Sequence, residues 1–353
     1  MTEVLAPASP QDAAAALAEA TAARASVDVV GGGTRSRRGR PGPPPDRELR
    51  TAGLRAVVAH EPADLTVTVE AGLPATDLAE LAASAGQGWP QADIRPGSTV
   101  GGVLAAAASG RERLRMGAVR DSLLEVVLAT GDGRLVTGGG RTVKGVAGYD
   151  IPRLAVGSLG TLGAIVQVTL KLWPIPAARG WFGAEAPLGE RVAAVSRALA
   201  GPARPASVLL MPGAVAVELI GPEEDVRPPE GMAPLAGPPP DLAGRGLLEA
   251  GVPPPRLGEL AARLEDAALG YEARMGVGTC LIAVEGPEEV ERARALALGL
   301  GGHAQVVDGP DDLRADPWGP PPPGLELMRR LRDALDPAGV LNRRMLLWEP
   351  APA

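Results

Sequence analysis

A short β-branched run empties into three consecutive glycines at residues 27–39, VDVVGGGTRSRRG. Val27 to Val30 read as a buried strand that delivers the chain into Gly31–Gly33, where it must turn sharply. Glycine permits positive φ and close approach of another backbone at that point. Two outcomes fit: a loop whose N–H groups face an anion, or a plain turn. With 47 glycines in 353 residues, the triplet cannot decide between them. Other segments must.

Two common phosphate-binding patterns are excluded. A dinucleotide fingerprint needs a third glycine where Ser36 stands, and RSRRGRPGPPP cannot open the helix that should follow. A Walker A loop needs Gly-Lys-Ser/Thr, which occurs nowhere in the chain. A net charge of -7 and a pI near 5.2 argue against nucleic-acid binding, because no overall positive field draws in a phosphate backbone. Cys280 is the one cysteine, so neither an intrachain disulfide nor a cysteine set for zinc or iron–sulfur is available. His60 and His303 lie far apart in sequence, so no multi-histidine metal site is expected. The N-terminus lacks a basic region, and no apolar run reaches the ~18 residues of a membrane span. A cytoplasmic location is the expectation.

The length suits roughly two domains. Ser9, Pro10 and Asp12 form a helix start, with the helix running to about Arg24. AVVA (56–59) and LTVTVEAG (65–72) read as strands, the second half-buried by its alternation. Residues 74–86 read as a helix, and Ser98 or Thr99 caps another through about Ala108. Strands at 125–130 and 134–137 meet at Gly131-Asp132-Gly133, and AIVQVTLKLW (164–173) is the strongest strand. Residues 222–244 and 309–324 are dense in Pro and Gly and read as loops. The last helix, from Leu325, places Leu325, Met328, Leu331 and Leu335 on one stripe and stops at Pro337 and Gly339.

In chain order, GGGT, LTVTVEAG, PGSTVGG, VRDSLLEVVLATGDG, VKGVAGYD, GSLGTLG and ALDPAGVLN resemble the PCMH-type, or vanillyl-alcohol oxidase-type, FAD-binding flavoproteins. Within that family, KGVAGYD followed by RLAVGSLG is most similar to glycolate oxidase FAD-binding subunits. The resemblance covers about 1–176 and returns at about 325–345. It implies an α+β chain: a PCMH-type domain over 1–176 with α/β subdomains at about 1–55 and 56–176, a smaller α+β cap at 177–300, and a C-terminal segment, 301–353, returning to the first domain. The chain's own bias lends support. Lys144 is one of two lysines, Tyr149 one of two tyrosines and Asn342 the only asparagine, and all three fall in these motifs.

The implied FAD-binding residues are Gly31, Gly32, Gly33, Thr34, Pro96, Gly97, Ser98, Thr99, Gly101, Gly102, Ser109, Gly110, Asp150, Gly157, Ser158, Gly160, Thr161, Gly163 and Ile165. The helix behind Ser98 and Thr99 is expected to offer free N–H groups to the diphosphate. Some relatives tether FAD through a histidine in the first glycine loop; Thr34 stands in that loop here, so FAD is expected to be non-covalent. Lys144 and Tyr149 are the candidates for catalytic groups near the flavin ring. Arg111, Arg113 and Arg115 suit either a carboxylate or partner contact near the flavin or a solvated loop; Arg35, Arg37 and Arg38 suit either an adenosine-phosphate contact or a solvated loop. Trp181-Phe182 would cover the flavin or pack the domain junction, and His303 reads as a surface or turn residue. Two functions follow. One is an FAD-bearing subunit of a glycolate oxidase-like complex, working beside a catalytic flavoprotein subunit and an iron–sulfur subunit on a small 2-hydroxy acid. The other is a self-sufficient FAD-dependent hydroxy-acid oxidase or dehydrogenase. The scarcity of His and Cys favours the first.

Overall fold

A computed structural model describes residues 2–140 and 149–345, which divide into two compact units. The first contains residues up to 110, 118–175 and those from 320 on; the second contains 111–117 and 176–319.

In the first unit, β1 (Glu3–Leu5) leads into α1 (Pro10–Ala23). Ser9 caps α1 as its motif predicts: the Ser9 hydroxyl accepts from the Asp12 amide at 3.1 Å. Strands β2 (Val27–Val30) and β3 (Arg47–Arg50) join β1 in a parallel sheet of order β1-β3-β2. A five-stranded antiparallel sheet follows, made of β4 (Val57–Glu61), β5 (Thr66–Glu70), β7 (Leu123–Ala129), β8 (Leu135–Gly139) and β9 (Ala164–Lys171), in the order β4-β5-β9-β7-β8. Two short strands, β6 (Gln87–Gly88) and β10 (Trp173–Pro174), pair separately.

Helix α1 repeats small and apolar residues along one face, and Ala13, Leu17 and Ala20 pack with Val27, Leu49, Ala164, Val166, Val340 and Leu341. The C-terminal segment thus returns to the first unit, where Leu341 bridges to Val27 in parallel. A second core packs α2 (Ala75–Ser84), through Leu78, and α3 (Val100–Ala105), through Leu104, with Val67, Val69, Val126, Val168 and Leu170. The alternation along β5 predicts a wet face, but Thr68 is buried and its hydroxyl bonds that of Thr169 on β9 at 2.9 Å. Cover on both faces of the sheet overrides the pattern.

In the second unit, α4 (Arg113–Met116) precedes an eight-stranded sheet of order β14-β11-β13-β12-β16-β17-β15-β18. Its strands are β11 (Ala178–Glu185), β12 (Ser207–Met211), β13 (Ala214–Gly221), β14 (Ala233–Leu235), β15 (Gly246–Gly251), β16 (Tyr271–Arg274), β17 (Thr279–Val284) and β18 (His303–Asp308). In chain order between the first unit's α5 (Ile151–Ala155) and α9 (Leu325–Leu335), the helices α6 (Leu188–Ala200), α7 (Leu257–Asp266) and α8 (Pro287–Leu298) supply the apolar residues packed on that sheet.

Three expectations change. The second unit runs to Gly319, not 300, because β18 extends the sheet beside β15. Residues 111–117 join it too, with Arg111 paired to Glu272 and Arg115 bonded to carbonyls of that unit. The Pro-rich stretch 222–244 is not wholly loop, since β14 pairs with β11 as an edge strand, the position where proline is tolerated. The stripe of α9 is half-buried at Leu325, Leu331 and Leu335, while Met328 is 37% exposed.

Candidate cofactor site

The first unit contains an open cleft with a cavity volume of about 150 Å³. Strand β2 delivers Gly31–Thr34 to one wall; Thr99, Gly101 and Gly102 at α3 form another; Leu159, Gly160, Gly163 and Ile165 a third; and Asn342, Arg344 and Met345 close it from the C-terminal segment. The three separated glycine turns therefore meet, as their order in the chain implies.

Contact between the first two turns demands glycine. A Cβ on Gly32 would stand 1.7 Å from the Gly97 carbonyl oxygen, a clash with backbone that no rotamer relieves. With that approach made, the amides of Gly31, Gly32, Gly33, Thr34 and Arg35 have no protein acceptor among the described residues. Consecutive unspent amides are groups from which an anion-binding concavity can be built. The start of α3 behaves differently from expectation. Its Val100, Gly101 and Gly102 amides donate to Leu73 O at 2.9 Å, Ala71 O at 2.7 Å and Thr99 Oγ1 at 3.2 Å. The helix end is spent on the fold, so the first glycine loop supplies the free amides.

Asn342 ties two walls together. Its Oδ1 accepts from the Val29 amide at 2.6 Å and its Nδ2 donates to Leu159 O at 2.6 Å. Gly160, at φ +75°, leaves room for it, since a Cβ there would meet Asn342 Nδ2 at 2.5 Å. The rarity of asparagine in this chain was the signal that could find this residue. Asp28 and Arg344, paired at the same wall, gave none.

Other residues expected at the site stand elsewhere. Pro96, Gly97 and Ser98 lie outside the cleft lining. Gly97 backs Gly32, and Ser98 Oγ donates to Arg95 O at 2.7 Å to hold the turn. Gly157, Ser158 and Thr161 shape the third turn without lining the cleft; the Gly157 amide donates to Leu104 O at 3.0 Å and Thr161 Oγ1 to Ser158 O at 2.7 Å. Ser109 and Gly110 are also outside the lining: Ser109 Oγ accepts from the Val119 amide at 3.1 Å, and the Gly110 amide donates to Gln91 O at 2.9 Å. Asp150 caps α5 by accepting from the Arg153 amide at 3.2 Å and does not line the cleft. Tyr149 is 90% exposed. Lys144 lies outside the described residues.

Of the basic loop, Arg35 lines the cleft and Arg38 is buried, its Nη1 donating to Ala106 O at 2.5 Å. Arg111 and Arg115 are engaged within the second unit. Arg111 pairs with Glu272 at 2.5 Å and donates to Pro239 O at 2.7 Å, while Arg115 donates to Arg204 O and Ile220 O. No histidine or cysteine lines the cleft among the described residues. Cys280 is buried in the second unit, and burial pushes its thiol up, away from the reactive thiolate.

Residues 2–139 match the family model of an FAD binding domain. That stretch of the first unit is thus similar to FAD-binding domains. Across 302 residues, 82% of this chain and 83% of the relative, it is 28% identical to glycolate oxidase subunit GlcE of Escherichia coli (strain K12). Over 126 residues it is 37% identical to glycolate oxidase subunit GlcD of Bacillus subtilis (strain 168), and over 123 residues 37% identical to the mitochondrial D-lactate dehydrogenase [cytochrome] of Arabidopsis thaliana. These two matches take in 35% of this chain each, and 26% and 22% of the relatives. Among solved structures, an alkyldihydroxyacetonephosphate synthase shares the fold, with a TM-score of 0.67 and 15% identity over 96% of this chain and 75% of that one. FAD is the cofactor that this family model implies for residues 2–139.

Proposed function

We propose that the chain is the FAD-binding subunit of a glycolate oxidase-like complex and passes electrons during oxidation of a small 2-hydroxy acid. The likeness to GlcE runs through both units, whereas the matches to GlcD and the D-lactate dehydrogenase take in about a third of the chain. Bound FAD would supply a two-electron acceptor; the glycine loop, Arg35 and Asn342 would hold it.

The observation that carries this reading over a self-sufficient oxidase lies in the second unit. A hydroxy acid needs a cation for its carboxylate. The arginines sunk in this unit are spent on their own fold: Arg111 on Glu272, Asp241 and Pro239 O, Arg274 on Glu272, Arg191 on Glu265 and Ala186 O, Arg294 on Glu291 and Asp316 O, and Arg314 on Asp311 and Gly309 O. A guanidinium tied down in this way is poorly placed to capture a substrate carboxylate. Substrate capture then falls to a catalytic flavoprotein partner of the GlcD kind, with an iron–sulfur subunit as the onward carrier. Non-covalent FAD belongs to the same proposal, supported by a cleft lining without His or Cys among the described residues. So does a cytoplasmic location, inferred from the sequence.

Anaerobic titration of the purified chain with glycolate and D-lactate tests it. The flavin should stay oxidised with the chain alone and bleach once the catalytic partner is added. Reduction of an artificial acceptor by the isolated chain at ordinary enzymatic rates would favour the self-sufficient oxidase. Yellow colour carried down with acid-precipitated protein would contradict non-covalent binding.

A further inference from the structure

We propose that Arg35 is the counter-charge of the FAD diphosphate, held behind the glycine loop by Asp93; this rests on the FAD assignment and adds to it a residue that selects for the diphosphate. The argument begins with position. Arg35 directly follows Gly31–Thr34 and lines the same cleft as their free amides. Its side chain is only 10% exposed. The guanidinium is fixed from one side: Nη2 donates to Asp93 O at 2.6 Å and to Asp93 Oδ2 at 2.8 Å. Nη1 is shielded from solvent and has no partner among the described residues.

A desolvated guanidinium with an unspent N–H is costly unless an anion offsets it. Asp93 offsets it incompletely, because the same Oδ2 is shared with Arg95 Nε at 3.2 Å. Burial accordingly lowers the affinity of Arg35 for its proton even with Asp93 beside it. A diphosphate settling on the loop amides would supply the missing negative charge in a place where water screens it little. The amides alone bind a phosphate by dipole. Arg35 adds a full charge behind them, which favours FAD and ADP over riboflavin and adenosine.

The test uses the full chain stripped of flavin. FAD binding is followed by quenching of flavin fluorescence, with ADP, adenosine and riboflavin as competitors. Arg35→Met should weaken FAD and ADP by about ten- to a hundredfold and leave adenosine and riboflavin within about twofold. Arg35→Lys, which keeps the charge and loses the fork, should lose less than about tenfold. Arg35→Gln, which is polar but carries no charge, should behave as Arg35→Met does and decides the matter if Arg35→Met does not fold. Wild-type affinity in Arg35→Met or Arg35→Gln, or equal losses for ADP and adenosine, would each overturn the proposal. A wild-type chain that binds neither FAD nor ADP would overturn the cofactor assignment itself.

Discussion

In the first unit five successive amides, Gly31 to Arg35, donate to no protein acceptor among the described residues, whereas in the second unit Arg111 and Arg191 each donate to a carboxylate and to carbonyls of their own fold. Both regions are rich in donors. Only the first leaves them available. A polar group left without a partner loses about 1–3 kcal/mol, so unspent donors persist where a ligand or solvent takes them up. The difference separates a surface shaped for an anionic cofactor from one whose charges hold its own sheet together.

The sharpest way to break the comparison is to push the two glycine loops apart. Gly32→Ala places a Cβ 1.7 Å from Gly97 O, and both loops must move. FAD affinity should fall by at least about a hundredfold and stability by about 3 kcal/mol, read by fluorescence titration and urea unfolding. The mirror experiment is Glu272→Ala in the second unit. It leaves Arg111 and Arg274 without the carboxylate they share, whose side chain is 3% exposed. Loss of about 3 kcal/mol in urea unfolding is expected, with FAD affinity unchanged within about twofold. A parallel fall in FAD affinity would show that the two regions do not act separately.

The sequence made the first region far more legible than the second. Capping residues, the VDVV run and the order of glycine turns located α1, β2 and three walls of the cleft, because each rests on local backbone chemistry. Which amides stay free was not legible. The α3 start has the residues of an anion site, yet Ala71 O and Leu73 O, some thirty residues earlier in the chain, occupy its donors. Nor could spacing show that Arg111 meets Glu272, since the partners are separated by 161 positions. The edge strand β14 was hidden for the opposite reason: Pro234 argues for a loop, and only its pairing with β11 makes it a strand. Long-range pairing decides such cases, and no local pattern encodes it.

Asn342→Ala should come next in size. It removes the two short hydrogen bonds that join Val29 to Leu159 across the cleft, leaving the Val29 amide and the Leu159 carbonyl to find other partners. About 2 kcal/mol of stability should go, with FAD weakened several-fold. Asn342→Asp, which keeps the acceptor for Val29 but sets a buried carboxylate against the Leu159 carbonyl, should lose at least as much.

A smaller, pH-dependent effect should appear in the second unit. Burial raises the Glu218 carboxyl from an ordinary 4.5 to about 7, with Glu112 adding to the rise and Arg179 and Arg111 opposing it. The folded state then holds a proton that the unfolded state releases earlier. Stability from this group is fully present below pH 4.5, falls as pH rises toward about 7, and is flat above that. Glu218→Gln should remove that slope and gain on the order of 1 kcal/mol relative to wild type at pH 8, measured by urea unfolding at each pH. An unchanged slope would mean that Arg179 keeps the carboxylate ionised throughout.

The smallest effect is expected at Tyr149, and it bears directly on where the chemistry resides. The motif KGVAGYD suggests a group near the flavin ring, but this side chain is 90% exposed and outside the cleft lining, in contrast to Asn342 of the other motif with a rare residue. An exposed phenol contributes little to a desolvated reaction centre, because water screens its dipole and competes for its proton. Tyr149→Phe should therefore leave FAD affinity unchanged and shift turnover of the assembled complex by less than about twofold. A loss of tenfold or more with FAD affinity intact would place the phenol at the reacting atoms after all, and would make the first unit a catalytic surface in addition to a cofactor cradle.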